Sequence, residues 1–249
     1  MKAKLLSLIV VITCMFLQNA WAQTRWKSIA PGLEYTRLMN SPATPNGFIH
    51  AFKFDPSRFT LQSAIIDHDA DTSIPAIMSK YGAVIAVNGG YFSPEIKPMG
   101  LRMFQGKVLS NLRSVSWWGV FYLRNSRPNI VSPRDFEANK SINFAIQAGP
   151  RLIVDGEIPK LAAGVADRSA LGITREGKII VLATENLAMS TQELAEIMRA
   201  SEADNGLNCV KALNLDGGHS TQMYTHLNNF NLQRFNVSQV ADLVLVLPK

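Results

Sequence analysis

Cysteine is scarce in this chain: its 249 residues include only Cys14 and Cys209. An intramolecular disulfide would need both, yet the first lies in a segment that reads as a removable leader. Lys2 and Lys4 open that segment, Leu5 to Leu17 is apolar, and Ala20-Trp21-Ala22 forms an A-x-A cleavage site before Gln23. This is the pattern of a secretory leader over residues 1–22, and its apolar stretch is short for a membrane span. Cys14 follows Val11-Ile12-Thr13, without the small residues that a lipid-modified cysteine wants. The mature chain is therefore expected to hold no disulfide and no cysteine-built zinc site. Its stability must come from a core. Cys209, beside Val210, reads as a small buried hydrophobe rather than a nucleophile.

Other things are missing too. No later segment holds 18 uninterrupted apolar residues, so no stable membrane insertion is expected. Periplasm and full secretion both fit an exported chain. No lysine-arginine run or recognition helix points to nucleic acid. The four histidines, His50, His68, His219 and His226, lack metal-binding spacing. Neither a metal nor a cofactor is called for. Asp67-His68-Asp69-Ala70-Asp71 is an acidic cluster, read as a solvated loop before a cation site. Without Lys2 and Lys4, 23 basic residues face 19 acidic ones, a balance of +4. That suits an anionic substrate or surface, and equally an ordinary protein surface.

What the sequence does hold is a matched pair of segments. Ala83 to Val87 runs into Asn88-Gly89-Gly90-Tyr91-Phe92, and Ala212 to Leu215 runs into Asp216-Gly217-Gly218-His219-Ser220. Each is an apolar strand ending in Asn or Asp followed by two glycines. Such pairs are common turn signals, and two plain turns are the simplest account. Glycines at a strand end also leave backbone N–H groups uncovered, able to form an anion-binding nest. Two further polar strand ends accompany them, Gln147-Ala148-Gly149-Pro150-Arg151 and Asp167-Arg168-Ser169. Four such ends can converge on one rim of a sheet.

The remaining pattern is rich in strands. Phe48–Phe54 and Phe59–Ile66 flank Asp55-Pro56-Ser57. Met99–Leu109 reads as a hairpin around Gln105-Gly106-Lys107, Trp117–Leu123 as a strand, and Asn125–Lys140 as a polar surface loop. Asn143–Gln147 is a further strand, and Leu152–Ile158 turns at Asp155-Gly156. Ala170–Thr174 and Lys178–Ala183 pair around Arg175-Glu176-Gly177. Thr72 or Ser73 caps a short helix that ends at Gly82. Ser190-Thr191-Gln192-Glu193 is a capping box opening a helix to about Ser201, with Leu194, Ile197 and Met198 on its apolar face. Leu243–Leu247 closes the chain. Helices interrupt the strands irregularly, so the expected fold is α+β. It is a single domain over 45–249 with a mixed, strand-rich sheet and a few packed helices, after a lead-in at 23–44.

Several residues invite chemistry. Gly218-His219-Ser220-Thr221-Gln222 has half of a nucleophile elbow but lacks its second glycine, which weakens a serine-hydrolase reading. His219 is a base or phosphate donor, or an unpartnered surface histidine. Trp117-Trp118 puts one ring in the core and the other outward, where a sugar could stack. The four ordered motifs, Asn88 to Phe92, Gln147 to Leu152, Arg168 to Gly172 and Leu215 to Thr221, resemble the phosphodiester glycosidase domain. That domain occurs in many bacterial exported proteins. The resemblance spans roughly residues 45–247, with His219 standing where the family often has a third glycine. It implies hydrolysis of a sugar–phosphodiester at the anomeric carbon, with a phosphorylated glycan as substrate.

In such a reaction the leaving phosphate is already acidic and needs little protonation. The oxocarbenium-like carbon needs a carboxylate or an activated water. Asp216 is then nucleophile or general base, and Glu185 a second carboxylate candidate or an exposed loop acid. Arg168 grips phosphate oxygens as lysine cannot. Backbone N–H groups at Gly89, Gly90, Gly217 and Gly218, with Gly149, His219 and Ser220, complete an anion site. Asn88 bonds a sugar hydroxyl or holds its turn. The rivals are a glycan-binding protein on the same scaffold and a metal-dependent phosphodiesterase.

Overall fold

A computed structural model describes residues 23–39, 46–68, 73–234 and 238–249. Residues 1–22, read above as a leader, lie outside these residues, as do Asp69 to Asp71 of the acidic cluster and Thr72. The fold is α+β. Its strands form three main sheets, and every pairing among the described strands is antiparallel.

The first sheet has seven strands, in the order Lys27–Ala30, Leu33–Met39, Phe48–Phe54, Ile179–Glu185, Ser169–Thr174, Cys209–Asn214 and Arg151–Ile153. The segment before residue 45, read as a lead-in, thus supplies two strands of the domain. The second sheet runs Lys107–Ser110, Arg102–Phe104, Ile142–Ala148, Gly119–Arg124, Arg127–Val131. Its last member corrects the loop expected at Asn125–Lys140. Asn125 and Ser126 both take left-handed backbone (φ 50° and 62°) and make a tight hairpin turn. Pro128 is tolerated because the strand is an edge. The third sheet runs Gln233–Arg234, Met223–Thr225, Ile85–Asn88, Asp242–Pro248, Phe59–Ile65.

All three sheets turn one face to a shared core that includes Phe52, Leu61, Val87, Phe121, Phe144, Leu171, Leu213 and Val244. Alternation along each strand puts the other residues on outer faces. Helix α1 (Ile74–Tyr81) covers the third sheet through Ile77 and Met78. Ser73 caps it, and Gly82 ends it at φ 69°. Helix α2 (Thr191–Arg199) covers the first sheet through Leu194, Ala195 and Met198. Its capping box forms: Ser190 N–H donates to Glu193 Oε2 at 2.7 Å, and Glu193 N–H to Ser190 Oγ at 3.1 Å. Losing that cap would cost about 1 kcal/mol. Cys209 packs beneath α2 at 2% exposure, and burial pushes its thiol pKa far up, as suits an inert core residue. None of the helices among the described residues is long and apolar enough to cross a membrane.

Candidate functional site

Strand register brings the predicted ends together. Glu185 pairs with Phe48, Ser169 with Ala183, Asn214 with Ala170, and Arg151 with Leu213. Glu185, Arg168, Asp216 and the Gly149–Pro150 segment therefore share one rim of the first sheet. Asn88 ends its strand of the third sheet against that rim. Its side chain is a bolt. Ser169 Oγ and the Gln222 N–H donate to Asn88 Oδ1 at 2.6 and 3.1 Å. Asn88 Nδ2 donates to the carbonyls of Asp216 and Gly89 at 2.8 and 3.2 Å. Fully buried and fully bonded, Asn88 holds the turn, the second of the two roles considered for it.

Behind Asn88 lies an ion pair that the sequence reading passed over. Arg102 and Asp242 are both 0% exposed. Arg102 Nε donates to Asp242 Oδ2 at 2.6 Å and Nη2 to Oδ1 at 3.0 Å. Nη1 reaches the carbonyls of Leu101 and Gln147 at 3.2 and 3.1 Å. This pair explains both glycines of the first turn. A Cβ on Gly89 would collide with the Asp242 carboxylate, and one on Gly90 would sit 2.8 Å from Arg102 Nη2.

The anion nest expected from the glycines does not form as such. The Gly89 N–H donates to Asp242 O at 2.8 Å and the Gly218 N–H to Asp167 O at 2.7 Å. The Gly217 N–H donates to Asp216 Oδ1 at 2.9 Å. Three of the four N–H groups are thus consumed within the fold. The glycines answer to close packing and to satisfied backbone, which a ligand-free reading of composition cannot distinguish from a nest. Gly149 likewise offers its carbonyl, which accepts from Tyr91 Oη at 2.5 Å and from Asn214 Nδ2 at 3.0 Å. The Gly149–Pro150 peptide is cis.

Three side chains remain open on the rim. Asp216 is partly buried, and burial raises its carboxyl pKa. Hydrogen bonds from Ser220 and Gly217 pull the other way, the Asp242 charge adds to the rise, and Arg102 opposes it. Tyr91 is pushed up to about 12, first by burial and then by the Asp216 charge; a bond to Asn214 and the Arg168 charge lower it. Arg168 donates through Nε to Met189 O at 2.9 Å and through Nη2 to Gly164 O at 2.7 Å. Its Nη1 makes no hydrogen bond among the described residues. The entry to α2 thereby aims Arg168, while Asp216 stands on the other strand end. Both influence Tyr91, and no ion pair joins them.

The other predicted residues sort differently. Ser220 is buried against Asp216, whereas His219 is exposed. Glu185 does not join Asp216: it binds His50 Nε2 at 2.5 Å, and His50 Nδ1 meets Tyr35 Oη at 2.8 Å. A whole strand, Ser169–Thr174, separates it from Asp216. The second carboxylate felt by Asp216 is Asp242. Trp118 is 6% exposed and packs against Tyr91 with the rings tilted and their centroids 5.1 Å apart, while Trp117 is 54% exposed. Trp118 Nε1 and Asn214 Oδ1 are buried polar atoms without a partner. No three metal-ligating side chains gather among the described residues.

Residues 81–247 match the phosphodiester glycosidase family. The uncharacterized protein YigE of Escherichia coli (strain K12) is 32% identical over 145 residues, covering 53% of this chain and 55% of that protein. The chain thus spans about half the length of this curated relative. A zebrafish structure, the N-acetylglucosamine-1-phosphodiester alpha-N-acetylglucosaminidase catalytic domain auto-inhibited by its pro-peptide, superimposes with a TM-score of 0.66. That match covers 91% of this chain and 88% of the other at 16% identity. A hypothetical protein from Synechocystis gives a TM-score of 0.60, covering 91% of this chain and 64% of the other at 16% identity. At these identities the structural likeness concerns the fold.

Proposed function

This chain belongs to the phosphodiester glycosidase family, and from that premise we propose that it hydrolyses sugar-1-phosphodiesters at the anomeric C–O bond. Its substrates on this reading are envelope or extracellular glycans, reached by export through a cleaved leader. The observation that carries the reading is the open rim: a partly buried carboxylate and a guanidinium stand at two strand ends of one sheet rim, each anchored, without pairing to each other. Two opposite charges held apart suit a substrate placed between them.

The chemistry follows from the charges. As the C–O bond breaks, the phosphate departs with both bonding electrons and needs no proton from a strong acid. Arg168 stabilises that charge through Nη1, while its other nitrogens are anchored. Positive character grows at the sugar carbon. Asp216 meets it as nucleophile, or takes a proton from the attacking water. Burial makes this carboxylate more basic than an exposed one, which favours either role. Ser220 and the Gly217 N–H fix its orientation. The exposed Trp117 ring offers a sugar-stacking face.

The test is hydrolysis of UDP-N-acetylglucosamine in oxygen-18 water, with wild type beside Asp216→Asn. The zebrafish neighbour's name makes N-acetylglucosamine the first sugar to try. Label in the free sugar, lost in the variant, supports C–O cleavage. Label in phosphate, abolished by chelator, makes the chain a metal-dependent phosphodiesterase. Binding without turnover across several sugars makes it a glycan-binding protein on this scaffold.

A further inference from the structure

A second cationic feature lies beside the rim. A cavity of about 320 Å³ opens between the loop carrying Ser114 and Ser116 and the turn carrying Ser132 and Arg134, with Arg151 also lining it. No acid lines it. The nearest carboxylate in sequence, Asp135, accepts from Ser132 Oγ at 2.6 Å. Neither Arg134 nor Arg151 makes a side-chain hydrogen bond or ion pair among the described residues. With Ser132 spent on Asp135, the two unpaired guanidinia and the hydroxyls of Ser114 and Ser116 remain as donors around a cavity that no carboxylate lines, which is what a tetrahedral, multi-oxygen anion requires.

The cavity is also tied to the proposed site. Arg151 follows Gly149 by two residues, and Gly149 O accepts from Tyr91. Two residues span at most about 7 Å. The Arg151 N–H donates to Trp117 O at 3.4 Å, and Arg151 Cγ packs 2.6 Å from where a Cβ on Gly119 would lie. The arginine is thus braced on the strand Gly119–Arg124, two residues along the chain from the carbonyl that accepts from Tyr91.

We infer that the Arg134–Arg151 cavity binds a second phosphate of the substrate, beyond the diester that is cleaved. The idea rests on the glycosidase reading for the word substrate, and on the cavity alone for phosphate binding. The probe is tripolyphosphate, titrated calorimetrically at physiological salt into wild type, Arg134→Gln, Arg134→Gln/Arg151→Gln and Arg168→Gln. Arg134 lies on an exposed turn, so its single variant keeps the fold.

Affinity should fall about tenfold in the single variant and further in the double, as loss of charged hydrogen bonds implies. Arg168→Gln should stay within about twofold of wild type. Wild-type affinity in the double variant, or loss confined to Arg168→Gln, overturns the inference. In turnover, a sugar-1-phosphodiester with a phosphorylated leaving group should show a lower KM than its unphosphorylated counterpart. The double variant should erase that difference without changing the unphosphorylated reaction. If neither compound is hydrolysed but titration still follows the arginine pair, the glycosidase reading fails and the cavity stands. If both are hydrolysed equally and titration ignores the pair, the cavity fails and the glycosidase reading stands.

Discussion

The molecule contains two arginine–aspartate sets built from the same chemistry and used in opposite ways. Arg102 and Asp242 close on each other, with 0% exposure on both sides and carbonyls around the guanidinium. Arg168 and Asp216 stand apart on a rim, each held by backbone or hydroxyl groups, and the charge of each acts on Tyr91. The closed set has no capacity left for a ligand. The open set keeps opposite charges from neutralising one another, which leaves both available. A carboxylate count alone would have ranked Asp242 and Asp216 as equals; accessibility and pairing separate them.

The sharpest way to break this comparison is to neutralise the open acid. Asp216→Asn keeps the oxygen that accepts from Gly217, so folding should be retained. The rate of hydrolysis should fall about 1,000-fold or more, roughly 4 kcal/mol of barrier. Steady-state kcat/KM on a sugar-1-phosphodiester reads this directly, and a loss under tenfold would remove Asp216 from the chemistry.

Neutralising the closed acid should act on folding instead. Asp242→Asn leaves Arg102 buried and uncompensated, a change that typically costs about 3–5 kcal/mol. Urea unfolding would measure it. Replacing both partners, Arg102→Met with Asp242→Leu, should recover much of the loss, because no charge is then stranded. A mild effect of Asp242→Asn would mean that the pair is less isolated than its burial implies.

How much of this was legible from the chain alone differs between the two sets. The rim was readable, because Asp216 and Arg168 sit at strand ends marked by apolar runs and glycines. The capping box that helps aim Arg168 was readable too, from Ser190 and Glu193. Glu185 was not: its neighbour His50 is 135 residues away in sequence, and only register brings them together. Asp242 and Arg102, 140 residues apart, hid for the same reason. A local signal existed nonetheless, since an Asp directly precedes the apolar run Leu243–Leu247. The glycines misled because a strand end crowded by a buried ion pair and one that cradles an anion have the same composition. The hairpin after Asn125 was obscured by polarity, which an edge strand shares with a loop.

A smaller effect tests the tyrosine of the open rim. Tyr91→Phe removes the bond to Gly149 O but leaves the one from Asn214. The carbonyl therefore stays satisfied, and stability should drop by about 1 kcal/mol. Chemical denaturation would detect it. A much larger loss would show that Tyr91, not Asn214, holds the Gly149–Pro150 segment.

The smallest expected effect concerns the proton on Asp216, and its sign is specific. Burial raises the carboxyl pKa in the folded state. The native protein then binds that proton more tightly than the unfolded chain does. Stability contributed by the group is therefore complete below the unfolded pKa and declines as pH rises through the folded one. Asp216→Asn should consequently be slightly more stable than wild type at neutral pH, and the two should converge in acid. Paired thermal melts across that range measure the difference. The same proton sets activity in the opposite direction: kcat/KM should fall on the acid side at a pH above that of an ordinary aspartate, about 3.9. Convergence in acid together with a raised acid limb would place the open charge on Asp216. An acid limb at the ordinary position would separate the rate from the raised carboxyl of Asp216.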